Sequence, residues 1–197
     1  MFPLGTALLP GSVLPLHVFE PRYRMMTQRV LNTDQEFGVV LIERGSEVGG
    51  GDVRFDVGTI ARVAQANELP DGRYALMTVG MRRVRVHAWL PDDPYPRADA
   101  EVLPDAPATA ADARARARVE LALDVVAELA RQLDPRLPAL PLLDPDPVRA
   151  SYEAAALAPL GPLDAQRVLE TDHAGDRLDL LDALLAERAE EMRGLLG

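Results

Sequence analysis

The chain contains no cysteine and no lysine, so all 21 of its positively charged side chains are arginines. Without cysteine it has no disulfide, no thiolate nucleophile and no cysteine-ligated zinc. Without lysine it has neither the Walker A amine that reaches nucleotide phosphates nor the amine of Ser-Lys hydrolases and Schiff-base enzymes, because arginine does not release its proton. These classes of catalysis are excluded for this chain.

Long hydrophobic runs are also missing, and the longest, such as "GVVLI", fall far short of the roughly 18 residues that a membrane helix needs. The first 16 residues carry no basic segment and contain Pro3, Pro10 and Pro15, which is unlike a signal peptide. With 48% apolar residues in 197, the chain is long enough to bury a core. We expect a cytoplasmic protein that does not bind membranes.

Negative charge dominates, with a net charge of −10. Residues 1–104 hold 11 Arg against 13 Asp and Glu, whereas residues 105–197 hold 10 against 18. An acidic half repels phosphate backbones, which argues against nucleic acid as the partner. RNA binding stays as the alternative function, with Arg82, Arg83 and Arg85 as phosphate contacts on the more neutral half.

The hydrophobic period changes near residue 104. Before it, residues 37–45, 57–69, 73–80 and 81–90 are typical of short successive antiparallel strands, which predict a small closed barrel or sandwich with one inserted helix. In residues 81–90 the alternation directs Val84 and Val86 to one face and Arg83 and Arg85 to the other. Arg83 and Arg85 are candidate contacts for an acidic peptide or RNA, although a solvated strand face is the commoner alternative. Trp89 is a candidate anchor for a protein partner, although packing within the barrel is an equal alternative.

After residue 104 the apolar residues recur at helical spacing. One long helix carries the stripe Val119, Leu123, Val126 and Leu133, and shorter helices are expected at 148–158 and 163–170. A last helix is expected at 174–195. Residues 134–147 contain five prolines and predict an extended linker. The sequence therefore predicts an α+β chain with a strand-rich part at 1–104 and a helical bundle at 105–197.

The stretch "LPLHVFEPRYRMM" at residues 14–26 predicts a strand that turns sharply into a helix. Pro15 suits an edge or first strand position, and Pro21 suits the first turn of a helix. Glu20 then lies at the positive end of that helix, where Arg22 or Arg24 can pair with it. An acid/base role for His17 and Glu20 is the rarer alternative.

Other polar features favour ordinary structural roles. His17, His87 and His173 lack the spacing of metal ligands, and no serine lies in a G-x-S-x-G motif. The glycine-rich residues 45–52 lack the spacing of a phosphate-binding loop and predict a hairpin loop. We expect no metal, no cofactor and no catalytic residue.

Several segments, in order and spacing, resemble the N-terminal substrate-binding domain of the Lon protease family. They include "PLHVFEPRY", "FGVVLI", "VGTIARV", "DGRYALMTVGMRRVRV" and, in the helical half, "DAQRVLE" and "RLDLL". The positions that carry the motif are Pro15, His17, Phe19, Glu20, Pro21, Arg22, Tyr23, Gly58 and Thr59.

The resemblance implies a PUA-like pseudo-barrel followed by a helical bundle, together forming one substrate-binding domain. In the family this domain contacts unfolded or tagged proteins and helps to assemble the oligomer. The ATPase and peptidase modules have no counterpart in this sequence, so we expect a free-standing, non-catalytic relative. Its expected partners are extended protein segments, or a protease or chaperone, and homo-oligomerisation stays open.

Overall fold

The computed structural model describes residues 1–45 and 51–196, and within them it contains six strands and five helices in an α+β fold. Most of the glycine-rich loop expected at 45–52 lies outside the described residues. The chain divides into two compact units, Met1–Pro104 and Asp105–Gly197.

The first unit is a mixed six-stranded sheet with one helix. Its elements are β1 (Phe2–Leu4), β2 (Val13–Val18), α1 (Pro21–Leu31), β3 (Glu36–Arg44), β4 (Val53–Glu68), β5 (Tyr74–Leu90) and β6 (Arg97–Leu103). The strand order is β1-β3-β4-β5-β2, and β6 pairs with the second half of β5. The β1–β3 pair is parallel and all other pairs are antiparallel.

Tyr74–Leu90 is one long strand, so the prediction of two successive strands at 73–80 and 81–90 was wrong. No proline or tight turn interrupts Tyr74–Leu90. Gly80 lies at the middle of the strand, where the carbonyl of Leu9 occupies the place of a side chain. Beside it the ladder shifts register, since Ile60 pairs with Arg82 but Ala61 with Gly80, and Met81 is the extra residue of a β-bulge.

The core of this unit lies between the sheet and α1. Tyr23, Met26 and Val30 recur at helical spacing on α1 and are all buried. They pack with Phe2, Val39 and other apolar side chains of the strands. Pro21 begins the helix as expected, and Tyr23 stacks on Phe2 with ring centroids 4.3 Å apart.

The second unit contains four helices: α2 (Ala110–Leu133), α3 (Pro147–Leu157), α4 (Pro162–Glu170) and α5 (Ala174–Leu196). The two long helices α2 and α5 pack along each other, and α3 contacts both. Val119 and Leu123 on α2 and Leu178 and Leu181 on α5 are buried, as their spacing predicts. Among the described residues, no helix has both the length and the hydropathy to cross a bilayer.

Candidate functional site

An exposed, mostly apolar face lies on three neighbouring strands of the first unit. Pro15 pairs with Met77 and His17 pairs with Ala75 across β2 and β5. Met77 and Ala75 pair in turn with β4. Because residues directly opposite one another share a face, these side chains form one surface. We define the β2 surface as Val13, Pro15, His17, Gln65, Asn67, Ala75 and Met77.

The β2 surface contains a shallow cavity of about 490 Å³, lined mainly by apolar atoms of β2 and β5 with Gln65 and Asn67 at the β4 side. Val13 is 60% exposed and Met77 is 40% exposed. Methionine adapts its shape to irregular apolar partners. The face can therefore receive apolar side chains, while two amides at its rim offer hydrogen bonds.

Strand β2 lies at the edge of the sheet, because among the described strands it pairs only with β5. The Gly80 N–H donates to the Ser12 carbonyl at 2.9 Å, and the alternation of an antiparallel ladder then turns the backbone of Val13, Pro15 and His17 outward. Pro15 offers no N–H there, which weakens uncontrolled pairing with other strands. The remaining groups can still pair with an added extended segment.

A second, smaller cavity of about 140 Å³ lies on the other side of the same strand. Phe2 and Leu4 of β1 line one wall, and Leu16, Val18 and Phe19 line the other. Phe19 is half exposed. Apolar surface thus flanks β2 on both sides.

The corner after β2 is held by ordinary structural contacts. The Glu20 carboxylate accepts a hydrogen bond from Arg22 Nε at 3.1 Å, and the Arg22 guanidinium lies over the Tyr23 ring at 4.6 Å. Burial, the largest effect, raises the pKa of Tyr23 to about 12, so the phenol stays protonated. Glu20 is thus engaged with Arg22, and His17 lies on the exposed face.

The other two motif residues sit inside the sheet. Gly58 on β4 lies against the backbone carbonyl of Val39, and Thr59 is fully buried and donates its hydroxyl to the carbonyl of Leu8. These two residues determine how closely the neighbouring backbone segments approach. In the strand pairing, neither of them lies opposite a residue of the β2 surface.

Arg83 is only 1% exposed, so the expectation of a solvated or phosphate-binding side chain was wrong. The bulge at Met81 shifts the alternation of β5 by one residue. Arg83 therefore lies opposite Thr59, on the same side of the sheet as the buried Ala61. Val84 and Val86 on the opposite face are buried too, and alternation along the sequence does not reveal that both faces of a strand are covered.

Arg82 and Arg85 do not extend a basic face either. Arg82 and Arg62 both bind the Glu36 carboxylate, at 2.6 and 2.7 Å. Arg85 is half-buried. With Arg83 buried, the three arginines do not form the exposed cluster that the RNA-binding alternative required.

The Glu36 cluster predicts a defined pH dependence. Hydrogen bonds from Arg82 first, and from Arg62, hold the pKa of Glu36 below its ordinary value of 4.5. A carboxyl with a lowered folded-state pKa stabilises the fold above its unfolded pKa and loses that contribution as the pH falls through the folded pKa. We expect Glu36→Gln to be less stable than the wild type at pH 7, by up to about 1 kcal/mol, and this deficit to become smaller at pH 3.

Urea denaturation at both pH values measures this difference. Glu43→Gln is the matched control, because Glu43 is an exposed carboxylate on the same strand without an ion pair to any described residue. A Glu36→Gln deficit that is the same at pH 7 and pH 3 would contradict the role assigned to its charge.

Trp89 is half-buried and lies against the Arg54 guanidinium, 4.5 Å from the centre of its ring system. Arg54 also forms an ion pair with Asp52, which holds the pKa of that carboxyl below its ordinary range. Asp52 is therefore neutralised by an arginine. In the described part of the chain, no three His, Asp or Glu side chains are grouped as metal ligands.

Sequence reasoning did not find the residues that form most of the β2 surface, namely Gln65, Asn67, Ala75 and Met77. The available signal was alternation, since Tyr74, Leu76 and Thr78 are buried and Ala75 and Met77 between them are exposed. Their neighbours on β2 could not be predicted, because the register that sets Met77 opposite Pro15 joins residues 62 positions apart.

Comparison with known proteins decides the family of this chain. The family description "ATP-dependent protease La (LON) substrate-binding domain" matches residues 1–187. The chain belongs to this family. The matched residues cover the whole strand-rich unit and most of the helical unit.

Several LON proteins are similar to this chain in sequence or in fold. Lon protease 2 of Herpetosiphon aurantiacus is 28% identical over 95% of this chain, and Lon protease of Escherichia coli is 28% identical over 89%. The chain spans only 23% of the length of each. A Lon N-terminal domain protein from Xanthomonas campestris matches 92% of this chain and 95% of its own, with 26% identity and a TM-score of 0.65. The N-terminal domain of a Mycobacterium avium complex Lon protease, at 21% identity and a TM-score of 0.66, shares the fold.

Proposed function

We propose that this chain is a non-catalytic module that binds extended apolar segments of other proteins at the β2 surface. The observation that carries the proposal is an edge strand flanked on both sides by apolar cavities, in a family described by substrate binding. A bound segment would add its backbone to the outer edge of β2 and place alternate side chains against Met77 and Val13.

The finer architecture is part of the same proposal. The sheet is a PUA-like pseudo-barrel, supported by the bulges of β3, β4 and β5 that bend the strands. The four helices form a bundle, and together the two parts, 1–104 and 105–197, make one substrate-binding domain. We further propose that the chain acts in the cytoplasm as an adaptor in protein quality control, beside a protease or chaperone.

A binding assay with charge-introducing variants tests the function. The probe is a fluorescein-labelled casein, which is unfolded without denaturant, titrated with the whole protein and followed by anisotropy. We expect Met77→Asp and Val13→Asp each to weaken binding about tenfold, because a buried unpaired carboxylate opposes contact with apolar side chains. Both positions are exposed, so the fold should tolerate the change.

Leu142→Asp is the matched control. Leu142 is 90% exposed and belongs to the second unit, so it is not a residue of the β2 surface. Absence of casein binding by the wild type, or equal loss in the control and in the two surface variants, would refute the proposal.

A further inference from the structure

A second exposed apolar face lies in the helical unit and plays no part in the function proposed above. Leu121 is 68% exposed and Val125 is 44% exposed, one turn apart on α2. They lie outside the buried stripe of Val119, Leu123 and Val126, so the packing of the unit does not explain them. Two large apolar side chains at this spacing form a helix face that the described residues leave exposed.

This face borders a groove between α2 and α5. A depression of about 440 Å³ is lined by Ala122 and Val125 of α2 and by Leu185, Ala186 and Ala189 of α5. Arg118, one turn before Leu121, pairs with Asp179 and Asp182 of α5, which shows that this side of α2 faces that helix. We call this depression, together with the exposed Leu121 one turn before its lining residue Val125, the α2–α5 groove.

The rims of the groove are acidic. Asp182, Glu187 and Glu190 line it, against a single arginine, Arg193. Arg193 is already paired with Glu190, and Asp182 with Arg118. Glu187 makes no ion pair with any described residue, so its charge is available to a partner. The unit as a whole carries 10 Arg against 18 Asp and Glu.

We propose that the α2–α5 groove docks an amphipathic helix of another protein whose apolar stripe is flanked by lysine or arginine. Leu121 and Val125 would contact the stripe, and Glu187 with the other rim carboxylates would attract the basic flanks. The lining of α5 runs from residue 182 to residue 193, which is about 17 Å of helix and fits a partner of about three turns. A second copy of this chain is disfavoured, because it would bring two acidic rims together.

Synthetic peptides test both parts of the proposal. The probe is a fluorescein-labelled helical peptide of about 18 residues, with leucine at positions i, i+3, i+4 and i+7 and lysine on the flanks. A second peptide replaces every lysine by glutamate, and a third keeps the composition of the first but scrambles the stripe. We expect the lysine peptide to bind about tenfold more tightly than either of the other two peptides. Its affinity should fall as the salt concentration rises from about 50 to 300 mM.

Variants locate the site. Leu121→Ser with Val125→Ser should weaken binding of the lysine peptide about tenfold, and Glu187→Gln alone about threefold. Leu142→Ser, at an exposed leucine of the same unit, and Met77→Asp, on the β2 surface, should leave it unchanged. Failure of casein binding with intact peptide binding would overturn the function proposed above and leave this inference standing.

Three results of the peptide titrations would overturn the inference. They are no binding of the lysine peptide at about 1 mM, equal binding of the lysine and glutamate peptides, and equal binding by the Leu121→Ser/Val125→Ser variant with its helical circular dichroism intact. A concentration-dependent dimer that the same double variant abolishes would also overturn it, because a second copy would then occupy the groove.

Discussion

Replacing Arg177 by methionine is expected to destabilise the helical unit by about 3–5 kcal/mol, the cost of breaking a buried charged network from one side. The Arg177 side chain is fully buried. Its Nε donates to Ser151 Oγ at 2.9 Å, and its Nη1 donates to Asp105 Oδ1 at 2.9 Å. The guanidinium also lies over the Tyr152 ring at 4.2 Å.

The network joins three separate parts of the unit. Asp105 precedes α2, Tyr152 lies on α3, and the carbonyls of Thr171 and Asp172, which accept from Arg177 at 3.0 and 3.2 Å, lie between α4 and α5. The Tyr152 hydroxyl donates to the same Asp105 oxygen at 2.7 Å. Without the guanidinium, the buried Ser151 hydroxyl and the partly buried Asp105 carboxylate lose a shared donor, which is why the expected loss is large.

Thermal denaturation followed by circular dichroism at 222 nm measures the effect, and a fall in Tm of roughly 10 °C is expected for a chain of this size. Arg188→Met is the matched control on the same helix, because Arg188 pairs with the exposed Glu191 on the surface and should cost less than about 1 kcal/mol. A double-mutant cycle of Arg177→Met with Asp105→Asn should show a coupling of about 1 kcal/mol or more. Equal Tm values for the Arg177 and Arg188 variants would contradict the network's role.

The same arginine shows where sequence reasoning succeeds and where it stops. The long helix α2 was predicted without bounds, and the bounds of α3, α4 and α5 were predicted to within one residue, because apolar stripes recur over many turns and prolines begin α3 and α4. Arg177 lies on such a stripe, three residues after Ala174 and four before Leu181, and this position was the signal that it is buried. Its partners could not be predicted, since Asp105 lies 72 residues away.

The strands were harder because their pattern is interrupted by local irregularities. Both faces of β5 are covered around Arg83, since Val84 and Val86 are buried as well, so Arg83 is buried although its face was predicted to be exposed. The β2 surface depends on the register between strands that are distant in sequence. Alternation along a strand predicts which of its residues share a face, but not which strand lies beside it. In contrast, the corner at Glu20, Pro21 and Arg22 was predicted from local chemistry alone, because each contact spans two residues or fewer.

The exposed edge of β2 can pair with other chains, and two residues of the same strand limit this pairing. An open edge with apolar neighbours favours aggregation. Pro15 removes one outward N–H, and the exposed His17 adds a polar side chain two residues later. If the chain binds extended segments as proposed, an edge protected in this way would accept a segment whose side chains fit the flanking cavities more readily than an arbitrary strand.

Gly58→Ala is expected to destabilise the sheet by about 3 kcal/mol, the upper part of the range for a residue that is too large for its site. A Cβ at Gly58 would collide with the backbone carbonyl of Val39 and with Val40 Cγ1 at 2.7 Å. Gly58 pairs with Val40 on β3 and with Val84 on β5, so neither neighbouring strand can retreat without breaking a ladder. The methyl group must therefore move backbone, and the loss should appear as a lower urea midpoint.

Gly38→Ala separates this cause from the general effect of removing a glycine. Gly38 lies on β3, opposite Ile60, and an added Cβ there would meet only the end of the Met1 side chain. A flexible thioether can change rotamer, so the cost should stay below about 1 kcal/mol. If the two variants lost equal stability, the contact with the Val39 carbonyl would not be the reason for a glycine at position 58. If only Gly58→Ala lost stability, the close approach of β3 to β4 would explain the glycine of the "VGT" motif. That approach is part of the sheet that carries the β2 surface.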